Sequence, residues 1–202
     1  MAVKRIMVDE RGVTQRRAFF REAARRIVGP LADYLDDEPK APPRDFIWLR
    51  PPGAIEEQKF IDTCRRCGAC VNSCPAQAIF PLGEARGAAA GTPVIDADLA
   101  ACVVCEGLRC TTVCPSGALL ELTDPADIRM GIAEVYAPVC VRSKGDSCDL
   151  CVERCPIGDV AIAFVDDGPP EIRAAGCVGC GMCQLYCPTS PKAITVRPLV
   201  EE

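Results

Sequence analysis

Sixteen cysteines in a chain of 202 residues fall into four quartets, with no cysteine left over. The quartets are Cys64, Cys67, Cys70 and Cys74; Cys102, Cys105, Cys110 and Cys114; Cys140, Cys148, Cys151 and Cys155; and Cys177, Cys180, Cys183 and Cys187. Each ends in Cys-Pro, at Pro75, Pro115, Pro156 and Pro188. Each is followed within a few residues by an apolar pair: Ala78-Ile79, Ala118-Leu119, Ala161-Ile162 or Ala193-Ile194. Such self-similarity marks a repeat, and this density of thiols marks a scaffold held by crosslinks or metal. The remaining composition agrees: with 6 Phe, 3 Tyr and 1 Trp against 16 Gly and 18 Pro, a conventional apolar core would be thin.

Histidine is absent, which removes Ser-His-Asp and Cys-His catalysis, Cys2His2 zinc sites, Rieske centres and His-ligated haem. Any cofactor must sit on sulfur or carboxylate, and no catalytic residue is expected. Neither a P-loop nor a G-x-G-x-x-G occurs; the nearest approach, Gly176 to Gly181, is built around cysteines. The longest stretch free of Asp, Glu, Lys and Arg, Ala174 to Pro191, holds four cysteines, three glycines and two prolines, so it is no transmembrane helix.

The first and fourth quartets read C-x2-C-x2-C-x3-C-P, a spacing that suits a 4Fe-4S cubane. Two-residue spacers let one loop wrap a cluster with three thiolates, and Gly68, Gly179 and Gly181 suit a close approach of backbone amides to the sulfides. The fourth cysteine is expected at a helix start, with its proline in the first helical position, reaching to a neighbouring cluster. The second quartet, C-x2-C-x4-C-x3-C, and the third, C-x7-C-x2-C-x3-C, still supply four thiolates. Their insertions should give those clusters different potentials within the known range of about -700 to +450 mV. All sixteen cysteines are therefore iron ligands in this reading, and the cofactors are four 4Fe-4S clusters. Disulfides and four-thiolate zinc are the alternatives. Regular Cys-Pro loops disfavour the first, and zinc knuckles pair two C-x2-C units across a gap instead of packing three cysteines together.

Because each fourth cysteine serves a partner, the quartets must pair. Sequential pairing joins first with second and third with fourth; nested pairing joins second with third inside first with fourth. The shared C-P-x2-A of the first two quartets and C-P-x4-A of the last two favour the sequential scheme. Short apolar runs, Val94-Ile95, Ile132 to Tyr136 and Ile172, precede the later quartets, so the repeated unit reads strand, cysteine loop, short helix, strand. Arg65, Arg66, Arg109 and Arg154 stand beside ligands, where their charge would offset that of a cluster; solvated surface residues are the plain alternative.

Ahead of the repeats lie two further segments. From Thr14 to Asp37, Phe20, Ala24, Ile27, Leu31 and Tyr34 form one helical stripe opposite Arg16, Arg17, Arg21, Arg25 and Arg26. Residues 39–52 contain five prolines and read as an extended linker, in which Phe46, Ile47, Trp48 and Leu49 form a strip that lies on something. The divisions are thus 1–38, a basic amphipathic arm; 39–55, a linker; and 56–198, the four-cluster domain. Residues 1–26 carry eight Lys/Arg against three Asp/Glu, so within an overall charge of -5 the remainder carries -10. An acidic body argues against nucleic acid as partner.

Arg50-Pro51-Pro52-Gly53-Ala54, Gly91-Thr92-Pro93, the unusual second quartet, Arg129-Met130-Gly131 and the closing regular quartet together resemble the MauM/NapG-type ferredoxins. More broadly, the chain is similar to the four-cluster iron-sulfur subunits of molybdenum oxidoreductases. The resemblance implies an α+β fold of two ferredoxin-like dicluster lobes. It implies nested ligation: Cys64, Cys67, Cys70 with Cys187; Cys177, Cys180, Cys183 with Cys74; Cys102, Cys105, Cys110 with Cys155; Cys140, Cys148, Cys151 with Cys114. It also implies protein redox partners, a membrane-bound quinone-linked ferredoxin-type protein and a terminal reductase. Arg16-Arg17-Ala18-Phe19-Phe20-Arg21 is similar to a twin-arginine signal, but Glu22, Arg25, Arg26 and Asp33 interrupt the apolar region such a signal needs. The expectation is a retained arm in a cytoplasmic protein with peripheral membrane contact through residues 14–37; periplasmic export is the alternative. The functional expectation is a non-catalytic electron-transfer protein or oxidoreductase subunit, with a cluster-carrying assembly or maturation factor as the alternative.

Overall fold

The structure, a computed structural model, describes residues 48–199; the stripe at Thr14–Asp37 and the linker up to Ile47 lie outside them. The described residues form an α+β body of short elements, in which five helices and six strands are arranged as two related halves.

In the first half, helix α1 (Glu57–Thr63) starts because the Glu56 carboxylate accepts from the backbone N–H groups of Gln58 and Lys59. It stops at Cys64, whose backbone is extended, and it buries Phe60 completely. Helix α2 (Ala69–Ser73) leads to strand β1 (Ile79–Pro81), which pairs antiparallel with β2 (Pro93–Ile95), Ile79 opposite Ile95. Helix α3 (Arg109–Thr112) packs on α2. An antiparallel bridge between Ala54 and Leu119 then closes the half.

The second half repeats the plan more fully. Strand β3 (Gly131–Val135) precedes the third quartet and α4 (Leu150–Glu153). Strands β4 (Ile162–Ala163) and β5 (Glu171–Ile172) pair with each other, and α5 (Met182–Leu185) leads to β6 (Ile194–Pro198), which returns to pair with β3. Three of the apolar pairs after a Cys-Pro thus open or border a strand, and Leu119 makes an isolated bridge instead; in each pair the alanine is buried and its partner faces the core. The cores are small, one around Phe60, Ile79, Ile95, Leu119 and Ile128 and another around Ala133, Val139, Ile162 and Ile194. Cysteine side chains belong to both.

In every repeat the expected order of helix and fourth cysteine is reversed. Cys74 caps the C-terminal end of α2, and Cys114, Cys155 and Cys187 likewise follow their helices within two residues. The proline behind each therefore stands where it stops a helix, since it has no N–H to continue one.

The family-like segments ahead of the first two quartets meet in one place. Trp48 and Leu49 lie on the first half: the Leu49 carbonyl accepts from Ile95 N–H at 2.8 Å, and Trp48 packs beside Leu82 and Val94. Arg50 is 7% exposed, and its guanidinium donates to both Glu57 carboxylate oxygens, to Thr92 Oγ1 and to the Pro93 carbonyl, while its face lies over the Phe60 ring. Planar forked donors of this kind satisfy several acceptors at once. Pro51 and Pro52 are fully buried, and Gly53 follows with φ +77°. A Cβ on Gly53 would sit 2.2 Å from the Leu120 carbonyl oxygen, which accepts no such approach, so only glycine lets this segment lie against the end of the half.

Gly53→Ala is expected to cost about 2–4 kcal/mol, the sum of left-handed strain and a backbone clash. Gly87→Ala, also at positive φ (+57°) but facing open space, is expected to cost only about 1–2 kcal/mol. Chemical denaturation of the two holoproteins measures the difference; equal losses would refute the steric assignment.

Candidate metal centres

Four cavities occur where the cysteines converge, and each takes three thiols from one quartet and one from another. Cys64, Cys67 and Cys70 share a cavity with Cys114; Cys102, Cys105 and Cys110 with Cys74; Cys140, Cys148 and Cys151 with Cys187; and Cys177, Cys180 and Cys183 with Cys155. The pairing is sequential. The nested expectation, which put Cys187 with the first quartet and Cys114 with the third, is corrected. The physical reason is local packing: α2 lies on α3 and α4 on α5, so the cysteine at the end of each helix is delivered to the loop of the other quartet in its own half.

Local backbone geometry aims N–H groups at the sulfurs. Two residues after the first cysteine of a quartet the chain turns left-handed, at Arg66 (φ +54°), Val104 (φ +48°) and Gly179 (φ +71°). At the first two of these the turned N–H donates at 3.4 Å to Cys64 Sγ and Cys102 Sγ. For a β-branched residue such as Val104 this conformation costs on the order of 1–3 kcal/mol and is typical of a functional constraint. Further backbone donors at 3.4 Å reach Cys74 from Ala78, Cys114 from Leu119 and Cys177 from Ala133.

Two hydroxyls that the sequence reading passed over add to these. Ser116 Oγ lies 3.6 Å from Cys114 Sγ and Thr189 Oγ1 lies 3.2 Å from Cys187 Sγ. The available signal was a hydroxyl two residues past the cysteine, in Cys114-Pro115-Ser116 and Cys187-Pro188-Thr189, where the other two repeats have Ala76 and Ile157.

The glycines and arginines singled out in the loops also make contacts within the chain. A Cβ on Gly179 would lie 2.3 Å from Gly131 N, a close approach inside the second half, and one on Gly181 would lie 2.7 Å from the Ala97 methyl, a contact between the halves; at Gly68 the nearest atom is 4.0 Å away. Arg66 is a backbone clamp, donating to the carbonyls of Cys64, Ala88 and Ala90, and Arg154 lies over the Tyr186 ring.

The electrostatics of the thiols bears on what the cavities can hold. Burial, reinforced by neighbouring sulfurs, pushes Cys70, Cys102 and Cys151 up to about 11 and Cys110 and Cys180 up to about 12; Cys183 is raised further still for the same reasons. Thiols alone would stay protonated near neutrality, and four thiolates in one cavity require concentrated positive charge beside them. Cys114 and Cys187 move the other way: burial acts to raise them, but backbone N–H groups and the Ser116 and Thr189 hydroxyls hold them below the ordinary thiol value. Among the described residues no three Cys, Asp or Glu side chains converge on a point that would hold a single ion. The sulfurs instead stand around voids, the arrangement a polynuclear thiolate-ligated cluster needs and a mononuclear zinc site does not. The donor set therefore fits iron-sulfur clusters.

The cavities also have an order. Cys102 N–H donates to the Cys180 carbonyl at 2.9 Å, Met130 N–H to the Val178 carbonyl at 3.3 Å, and Gln184 Nε2 to Asp98 Oδ1 at 2.7 Å; Gln184 is itself buried and its Oε1 accepts from Val196 N–H. This seam sets the cavity of the second quartet against that of the fourth. None of these contacts involves the first or third quartet, where Cys67 and residues 143–147 are exposed.

Known proteins resemble this chain in sequence. Residues 63–118 match a 4Fe-4S dicluster domain and residues 174–190 a 4Fe-4S binding domain. The chain is 37% identical over 199 residues to the ferredoxin-type protein NapG of Escherichia coli K12, covering 91% of this chain and 86% of that protein. It is 35% identical over 197 residues to the methylamine utilization ferredoxin-type protein MauM of Methylobacillus flagellatus, covering 91% and 84%. Over 154 residues it is 28% identical to the ferredoxin-type protein NapF of Escherichia coli K12, covering 75% and 85%. With quartets, paired cavities and chain-long similarity in agreement, the protein belongs to the NapG/MauM family of ferredoxin-type proteins with 4Fe-4S dicluster domains.

Proposed function

We propose that each of the four cavities holds one 4Fe-4S cluster on its three-plus-one cysteines, and that the protein is a non-catalytic electron carrier. When bound, a cluster of this kind takes up and returns a single electron. The chain's own residues supply the thiolates, point N–H groups at Cys64, Cys74, Cys102, Cys114 and Cys177, and exclude water with apolar walls. The observation that carries the reading is the seam: with second and fourth quartets joined at Cys102 and Cys180, the sites form one series with both ends near solvent. Such a series suits exchange between two protein partners. These would be a membrane-bound quinone-linked ferredoxin-type protein at one end and a terminal oxidoreductase at the other, with a cytoplasmic location and membrane contact through residues 14–37.

Anaerobic preparation is expected to return about sixteen irons per chain, four for each cluster, with a visible absorption band bleached by dithionite. A colourless protein carrying tight zinc would refute it. The ligand sets are separable by alkylation followed by mass spectrometry. In holoprotein carrying Cys114→Ala, Cys64, Cys67 and Cys70 become reactive while Cys140, Cys148 and Cys151 stay shielded; the opposite pattern would restore nested ligation. Deleting residues 1–37 is expected to remove the protein from the membrane fraction, and unchanged recovery there would refute the docking role of the arm.

A further inference from the structure

The four cysteines that cross between quartets are alike in position and unlike in what touches them. Cys114 and Cys187 each meet a hydroxyl, from Ser116 and Thr189. The equivalent positions after Cys74 and Cys155 are Ala76 and Ile157, which have none to offer. Cys114 completes the cavity of the first quartet and Cys187 that of the third. The hydroxyls therefore fall on the two outer sites of the series, and the two inner sites at the seam lack them.

We infer that Ser116 and Thr189 are potential-setting residues, whose hydroxyls donate to the crossing ligand sulfur of the two outer clusters and hold those couples above the potential they would otherwise have. The inference rests on the reading that the cavities hold 4Fe-4S clusters.

Donor direction follows from chemistry, because a cysteine sulfur bound to iron carries no proton and only the hydroxyl can give one. At Thr189 the surroundings fix it further. Thr189 Oγ1 accepts from Ala193 N–H at 2.8 Å, which orients the oxygen and leaves its own O–H free for Cys187 Sγ. Cys187 is 8% exposed, so water competes little for the sulfur. Hydrogen bonds to ligand sulfur spread negative charge that grows on reduction, which favours the reduced form and raises the potential. The longer contact at Ser116, 3.6 Å against 3.2 Å, makes the smaller effect.

The alternative is that both hydroxyls only shape the turn after Cys-Pro. An EPR-monitored redox titration of the full-length holoprotein separates the two. Thr189→Val is expected to leave iron content unchanged and to shift the reduction equilibrium of one cluster about tenfold toward the oxidised form, about 59 mV for a one-electron couple. Ser116→Ala should shift a different cluster in the same direction by less, and Thr189→Ser should restore the unaltered value. Should Thr189→Val lose iron, Ser116→Ala at its separate site and Thr189→Ser still decide the matter. Full iron content with all four couples unmoved in Ser116→Ala and Thr189→Val would overturn the inference. An unaltered protein that binds no iron-sulfur cluster would instead defeat the reading beneath it.

Discussion

Gathering four thiols around one cavity is unfavourable unless something positive joins them. Burial, with the neighbouring sulfurs adding to it, drives Cys110 and Cys180 up to about 12. A chain that nonetheless brings sixteen of them together in four places is suited to bind metal as it folds. The thin composition points the same way. Apolar packing is confined to a few side chains such as Phe60, Ile128 and Ile162, and cysteines belong to both of the larger cores. In the proposed reading, metal ligation stands in for much of the buried hydrocarbon that a domain of this size would otherwise need.

Backbone strain follows from the same demand. Val104 and Arg66 adopt a conformation most side chains avoid, and each thereby turns an N–H toward a ligand sulfur. Elsewhere the requirement for close approach comes from neighbouring chain. Gly179 stands where a side chain would strike Gly131, whose own Cβ would strike the Arg197 carbonyl, so three backbone segments stack without intervening side chains. That stacking tightens the second half, while the buried Gln184 bridging Asp98 and Val196, the Cys102–Cys180 backbone bond and the approach of Gly181 to Ala97 join the halves.

Much of this was legible in the residues. The quartets locate every cavity, and the apolar pairs behind them locate three of the six strands, because ligand spacing and alternation are local properties. The Arg50-Pro51-Pro52-Gly53 and Gly91-Thr92-Pro93 segments could be recognised, but not that Arg50 binds Thr92, since their contact spans 42 positions. Pairing was the main failure of the family likeness. The C-P-x2-A and C-P-x4-A spacings already separated the halves correctly, because the loop after each crossing cysteine is shaped by the half it closes. The order of helix and proline was misread because proline is tolerated at a helix start as readily as it ends one. The hydroxyls of Ser116 and Thr189 were visible as letters, yet their meaning depends on which cavity each crossing sulfur enters.

Sequential pairing has a consequence for biosynthesis. All eight thiols of the first two sites lie between Cys64 and Cys114, so both sets exist before a ribosome has made any residue of the second half. A nascent chain of this design can receive its metal in the order of translation, one half after the other, without waiting for distant segments to meet.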